Sequence, residues 1–175
     1  MQQPATKLPQ HHEALDHAPP KVSYQWELLS AIAGEMWPLI VKKSEETFPE
    51  HSVRPPDPDW ITYVNMQCEG RLHIITARIN GVLAGYVVWI ISQSLHRKTE
   101  MVAITDTYYV KKEYRSGHNI GKEMFKQSII MLHDLGCKSI IPHSNENFFS
   151  DHSGVMDRFF LSLGCKPFGA VYIKE

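Results

Sequence analysis

The stretch from Met101 to Pro142 constrains the fold more than any other part of the chain. Met101–Val110 (MVAITDTYYV) has the β-branched and aromatic content of a strand. A short polar loop follows, then a helical pattern over Ile120–Leu135 closed by Gly136. Lys138–Pro142 (KSIIP) is a short apolar run suited to a buried strand. A strand–helix–strand unit of this length is a crossover, and a crossover makes its two strands parallel and usually adjacent.

The flanking sequence supplies the rest of a sheet. Leu72–Ile79 and Val82–Ser92 read as strands joined by Asn80-Gly81, the strongest two-residue hairpin signal. The second is more apolar, so it belongs nearer the centre. On the N-terminal side, a helix is expected from an N-cap at Ser23 through Thr47, with Trp26, Leu29, Ile32 (or Ala33), Met36 and Ile40 on its apolar face. Gly34 and Pro38 inside it predict a kink or two shorter helices near Trp37–Pro38. Residues 51–60 form a turn-rich loop, followed by a short helix over Trp60–Glu69 that stops at Gly70. A last helix, Ser153–Leu163, ends at Gly164, and Phe168–Lys174 is a final strand. The expected fold class is α/β (α+β), a mixed sheet with helices on both faces. Residues 1–22, rich in Pro, Gln and His, are expected to be a disordered arm ahead of a single domain over 23–175.

Composition narrows the function. Lys and Arg number 18 against 19 Asp and Glu, a net charge of −1, so no basic excess exists to grip nucleic acid. The longest apolar run, Val82–Ile91, is half of the ~20 residues a membrane helix needs, and residues 1–22 lack the apolar core of a secretory signal. A soluble, cytoplasmic protein is expected. Cys68, Cys137 and Cys165 have no CxxC spacing and read as reduced thiols. The ten histidines are scattered, three of them (His11, His12 and His17) in the arm, and no metal site is expected.

The loop after Val110 carries the chemical signal: YYVKKEYRSGHNIGKEMF, residues 108–125. A helix starting near Asn119 leaves backbone N–H groups of residues 116–121 free to bind an anion, and the helix dipole adds to this. Gly117 and Gly121 permit close backbone approach, and Lys122 adds charge. The spacing is one residue too short for a GxxxxGK[ST] nucleotide loop, Glu123 stands in place of the Ser/Thr, and no GxGxxG is present.

The loop instead resembles the [Q/R]-x-x-G-x-[G/A] motif of the GNAT superfamily of N-acetyltransferases. Gly121 matches its last position, Ser116 falls where Gln/Arg is usual with Arg115 one position early, and Asn119 replaces the middle Gly. Asn tolerates the left-handed conformation better than most residues. The order of elements from Trp60 to Lys174 matches that family, as does FFLSLGCKPF with its helix-ending Gly164. The pattern Asp59-Trp60, Tyr63, Gly70, Leu72, Ala77-Arg78, Asn80-Gly81, Leu83, Gly85-Tyr86, His96, Ala103, Asp106, Tyr108-Tyr109-Val110, Tyr114-Arg115 is similar to a group of short phage-encoded members. A phage-encoded chain would act in the host cytoplasm.

The resemblance implies a coenzyme A site in a V-shaped gap between splayed strands 101–110 and 138–142. The pantetheine would pair near Tyr108, Tyr109 and Val110, and a backbone N–H near Val110 would stabilise the tetrahedral oxyanion. Ser116, Gly117, His118, Asn119, Ile120, Gly121 and Lys122 would hold the pyrophosphate. The tyrosine that usually serves as acid in the late helix is here Phe160, and the usual asparagine seven residues earlier is Ser153, whose hydroxyl would bond the pantetheine. Asp106 is the favoured base, expected to share a face with Tyr108 and Val110. Glu100 and then Glu146 are the other candidates, so that Asp106, Glu100 and Ser153 form the candidate catalytic set. His96, His143 and His152 are candidates for the acceptor side, and His73 is expected to be half exposed in a strand. The implied activity is acetyl transfer from acetyl-CoA to a primary amine of a small molecule or a protein, by direct attack in a ternary complex. Dimers are common in the family. The alternative is a GNAT-fold protein that binds coenzyme A, or a host factor, without turnover.

Overall fold

Asn80 and Gly81 adopt φ of 50° and 83°, the two left-handed residues of a type I′ turn. They join Leu72–Ile79 (β2) to Val82–Gln93 (β3) as the dipeptide predicts. The computed structural model describes residues 20–47, 55–116, 119–143 and 154–167. Within them, β3 continues the antiparallel meander into Met101–Val110 (β4), Ile120–Asp134 forms α3, and Cys137–Ile141 (β5) pairs parallel to β4. The crossover therefore places its two strands side by side, and α3 ends before Gly136 at φ 87°.

Val22–Glu27 (β1) and Leu29–Thr47 (α1) replace the single helix expected from Ser23. Residues 22–27 pair antiparallel with β2, from Val22 opposite Ile79 to Glu27 opposite Ile74. Tyr24 and Trp26 recur at a spacing of two and both turn onto the apolar core of one sheet face. That period outweighs the capping signal of Ser23. Lys21 and Val22, assigned to the arm from sequence, already engage the sheet: Lys21 exchanges backbone and side-chain hydrogen bonds of 2.9 Å with Asn80. The remainder of the expected arm, 1–19, lies outside the described residues, as does the expected strand 168–174.

Helix α1 runs unbroken through Pro38. The buried stripe Leu29, Ile32, Met36 and Leu39 continues across the proline and holds both halves on the sheet. Trp60–Cys68 (α2) starts at Asp59, whose carboxylate accepts from the Thr62 N–H at 3.0 Å. Val155–Ser162 forms α4.

The sheet order is β1-β2-β3-β4-β5. Helices α1 and α2 cover one face over Ile74, Leu83, Tyr86 and Val88. Helices α3 and α4 cover the other over Ile75, Val87 and Trp89, where Phe125 and Phe160 pack. Each such aliphatic side chain contributes about 1.5–3 kcal/mol on burial. No helix among the described residues is long and apolar enough to cross a membrane.

Two contacts fix the frame around β4. Arg78 reaches Glu27 of β1 at 2.7 Å and Glu35 of α1 at 2.8 Å, tying strand, strand and helix together. Hydrogen bonds from Arg78 are the chief cause that holds the Glu27 carboxyl at a pKa of about 2. Gly85 of β3 lies so close to β4 that a Cβ there would stand 2.8 Å from the Tyr109 carbonyl oxygen and 3.2 Å from the Val110 Cα.

Both contacts make predictions. Because the folded pKa of Glu27 is depressed, its stabilisation is complete above the unfolded value near 4.5 and is lost as pH falls toward about 2. Glu27→Gln should cost about 2 kcal/mol at pH 7 and flatten the acid limb of stability between these limits, read by denaturant unfolding at stepped pH. Gly85→Ala should cost about 1–3 kcal/mol, because the obstacle is backbone that must shift rather than a side chain that can turn. An unchanged unfolding midpoint in Gly85→Ala would contradict the close approach.

Candidate functional site

Among the described residues, strand β4 has two neighbours over its first half and one over its second. Its parallel pairing with β5 runs from Met101 opposite Cys137 to Ile104 opposite Ile141. Two further ties follow within the described residues, both from His143 to Thr105: its N–H to Oγ1 at 2.7 Å and its ring Nδ1 to the backbone carbonyl at 3.3 Å. From Asp106 to Val110, β4 pairs with β3 alone among the described residues. The Lys111 N–H bonds the Ala84 carbonyl at 2.9 Å, which sets the alternation of the antiparallel ladder. By that alternation the N–H and C=O of Val110 face the gap that β5 has left. Arg115 Nε donates to the Val110 carbonyl at 2.8 Å.

A β-bulge lies at the point of divergence. Val88 pairs with Thr107 but Trp89 pairs with Thr105, so Asp106 is the extra residue. The expected alternation of Asp106 with Tyr108 and Val110 is therefore broken. Asp106 and Thr107 both turn to the α1/α2 face and line a cavity there. Tyr108 turns to the α3/α4 face, with ring centroids 5.4 Å from Phe125 and 6.3 Å from Phe160.

The cavity, about 370 Å³, lies between α1, α2 and the sheet. Its floor is apolar (Met36, Ile40, Ile74 and Val88), its wall carries Trp60 and Tyr63, and its polar groups include Lys43, Asp57 and Asp106. Tyr63 Oη donates to Asp106 Oδ2 at 2.6 Å. Burial, and then the hydrogen bond to the carboxylate, raise the Tyr63 pKa well above the usual phenol range, so it stays a donor. Lys43 Nζ donates to Thr107 Oγ1 and lies 5.9 Å from the Tyr108 ring centroid. Burial lowers the pKa of the Lys43 amine, and the nearby Asp106 charge opposes that shift. The arrangement offers an oriented carboxylate and aromatic surface to a cationic group, where β4 opens.

The start of α3 has the form expected of an anion-binding turn. Asn119 sits at the N-cap with φ 50° and ψ 19°, left-handed as its place in the motif requires. Ile120 is buried in the core, and a Cβ on Gly121 would touch Val110 Cγ2 at 3.6 Å. The end of β4 and the start of α3 are thus in contact. Lys122 is in the first helical turn, and Ser116 is exposed. Gly117 and His118 lie outside the described residues, as do Glu146, His152 and Ser153.

The other sequence candidates disperse. Tyr109 is on the α1/α2 face, where its hydroxyl donates to Glu46 at 3.0 Å under the Arg115 guanidinium, 5.0 Å away. Burial and the Glu46 carboxylate push its pKa up to about 12. Phe160 is buried among aromatic rings, 5.4 Å from Phe125 and 5.3 Å from Phe159. Glu100 stands just before β4, paired with Arg97 at 3.3 Å, and lies six positions before Asp106 along the strand, roughly 20 Å away. His96 is exposed in the β3–β4 loop, and half-buried His73 packs edge-on against Trp26 at 4.9 Å.

Sequence reasoning missed Lys43 and the bond between Tyr63 and Asp106. A signal for Lys43 existed: it continues the apolar stripe of Met36 and Ile40 at helical spacing, and a lysine on a buried stripe asks for a partner. No local pattern joins Tyr63 to Asp106, which lie 43 residues apart.

Comparison with known proteins agrees with this geometry. No curated protein matches the chain. Among solved structures, an aminoglycoside acetyltransferase from an uncultured soil metagenomic sample superposes with a TM-score of 0.67 at 10% identity, over 88% of this chain and 95% of that one. A ribosomal-protein-alanine N-acetyltransferase from Brucella melitensis biovar Abortus 2308 gives 0.64 at 14% identity, over 89% and 99%. The aminoglycoside N-acetyltransferase AAC(6')-Iy in complex with CoA gives 0.63 at 13% identity, over 92% and 98%. At such identities these likenesses show the fold. The model of the acetyltransferase (GNAT) family matches residues 35–151, two-thirds of the chain, and with the splayed parallel pair and the left-handed turn into α3 this places the protein in the acetyltransferase (GNAT) family.

Proposed function

We propose that the protein transfers an acetyl group from acetyl-CoA to a primary amine in a ternary complex. The observation that carries this reading is a meeting point. The cavity on the α1/α2 face and the half of β4 from which β5 has diverged converge on the bulge at Asp106 and Thr107. One ligand can lie in the gap and the other in the cavity, with their reacting ends at the same backbone position. A small-molecule amine is favoured because the aminoglycoside acetyltransferases share the fold and the cavity here joins carboxylates to aromatic surface.

The residues fit coenzyme A. The pantetheine would lie along β4 between Tyr108 and Val110 with its thioester at the Val110 N–H, and the pyrophosphate would meet the N–H groups after Asn119 together with Lys122. Gly121 keeps this turn open. Ser116 and Ile120, with Gly117 and His118 by the family resemblance, would complete the loop, and Ser153 would contact the pantetheine. Acetyl-CoA supplies the acetyl group as a thioester and departs as the thiol.

The chain's own part is proton handling and charge stabilisation. Asp106 takes the proton of the incoming ammonium, and Tyr63 holds the carboxylate oriented toward the cavity. The Val110 N–H faces the growing negative charge on the acyl oxygen. Phe160 packs in the aromatic layer beside Tyr108 and has no proton to give, so solvent protonates the thiolate. At a thiol pKa of ~8.5, by analogy with cysteine, that departure is not costly near neutral pH. Phe160 also favours the second reading, a coenzyme A-binding protein without turnover.

Calorimetry with acetyl-CoA, followed by thiol release over an amine panel, separates the two readings. Heat with amine-dependent thiol release is expected, and heat without release selects the second reading. Gly121→Trp should abolish acetyl-CoA binding while leaving the unfolding transition in place, since a Cβ at this site is accommodated and only the larger ring fills the turn. Asp106→Asn should lower turnover by about 10²–10⁴-fold near pH 7 and by less near pH 9, where more of the amine is already neutral. An equal loss across pH would contradict the base role.

A further inference from the structure

Lys43 meets the description just given of the acceptor. Its Nζ is a primary amine, it lines the same cavity as Asp106, and it bonds Thr107, the residue next to the bulge. It also lies over the Tyr108 ring, so it stands where the cavity meets the open half of β4. Most lysines of the described chain are solvated, and Lys42 beside it is 60% exposed and paired with Glu45 at 3.5 Å. Lys43 instead points inward from α1, and its ammonium is partly stripped of water, which favours the neutral, nucleophilic amine.

We propose that Lys43 is an internal acetyl acceptor, so that the protein acetylates itself at this position when acetyl-CoA is bound in the β4–β5 gap. This rests on the reading of the gap as the acetyl-CoA site. The Lys43 Nζ–acyl carbon bond forms and the acyl carbon–sulfur bond breaks. The proton lost by Nζ passes to Asp106 or to water, and the departing thiolate takes one from solvent. No oxidant or reductant is needed. The product changes the cavity. Lys43 is the cation among its described lining residues, facing Asp57 and Asp106, and acetylation removes that charge. The modified cavity keeps two carboxylates and would favour a cationic acceptor more strongly than the unmodified one.

The test uses the full chain incubated with acetyl-CoA and no added amine, with sites located and timed by tandem mass spectrometry. Lys43 should gain one acetyl group about tenfold or more faster than exposed Lys42 and Lys126 on the same chain, at a rate independent of protein concentration, and Gly121→Trp should lose this preference. The tenfold margin corresponds to about 1.4 kcal/mol of barrier. Modification of Lys43 no faster than of Lys42 would overturn the proposal while leaving external amine transfer standing. Absence of acetyl-CoA binding by calorimetry would overturn it together with the reading on which it rests. Lys43→Arg should bind acetyl-CoA and carry no acetyl group at position 43, with the modification of Lys42 and Lys126 unchanged. Increased labelling at those positions in Lys43→Arg would show that no specific internal acceptor exists.

Discussion

Everything distinctive about this molecule depends on where the parallel pairing of β4 with β5 stops. A strand that has β5 beside it for four residues and, among the described residues, β3 alone thereafter carries backbone polar groups that must find partners. The fold satisfies one of them itself, by turning Arg115 back onto the Val110 carbonyl. The N–H of Val110 and the turn into α3 face the same gap, and they make that gap suitable for a ligand rich in amides and phosphate. An uninterrupted five-strand sheet from the same residues would have no such place.

The bulge at Asp106 gives the divergence a chemical consequence. By adding one residue to β4 it puts Asp106 and Thr107 on the same face and sends Tyr108 to the other. Aromatic packing then fills one side of the strand and a polar cavity forms on the other. Gly85 holds β3 close to β4 beyond the bulge, and Glu46 with Arg115 ties the end of β4 to α1. These contacts fix the backbone at Val110, and a backbone N–H stabilises developing charge only if it is already in position. The Asp106 charge offsets part of the burial that lowers the Lys43 pKa.

The pieces legible in the sequence were those set by local chemistry. Asn80-Gly81 fixed a turn, Gly136 ended a helix, and the crossover from Met101 to Ile141 had one way to pair. Asn119 was legible because few residues accept a left-handed φ. The first strand was misread because Ser23 mimics a helix cap, whereas the edge of β2 offered Tyr24 and Trp26 a face to bury. The bulge was invisible for a different reason. A two-residue period has no local mark for an inserted residue when Thr, Asp and Thr stand in a row, since each tolerates either face. The face of Asp106 was therefore wrong although its place on the strand was right. The stripe of Met36 and Ile40 puts Lys43 on the inward face of α1, but its partner Thr107, and that of Tyr63, are set only by the packing of α1 and α2 on the sheet.

In the proposed function one ligand lies along the second half of β4 and against the first turn of α3. Amide hydrogen exchange with and without coenzyme A tests it most directly. Exchange should slow at Val110 and at Ile120–Lys122 on binding, with β1 and the β2–β3 turn unchanged. Protection confined to other elements, with Val110 and the start of α3 exchanging as in the free protein, would contradict it.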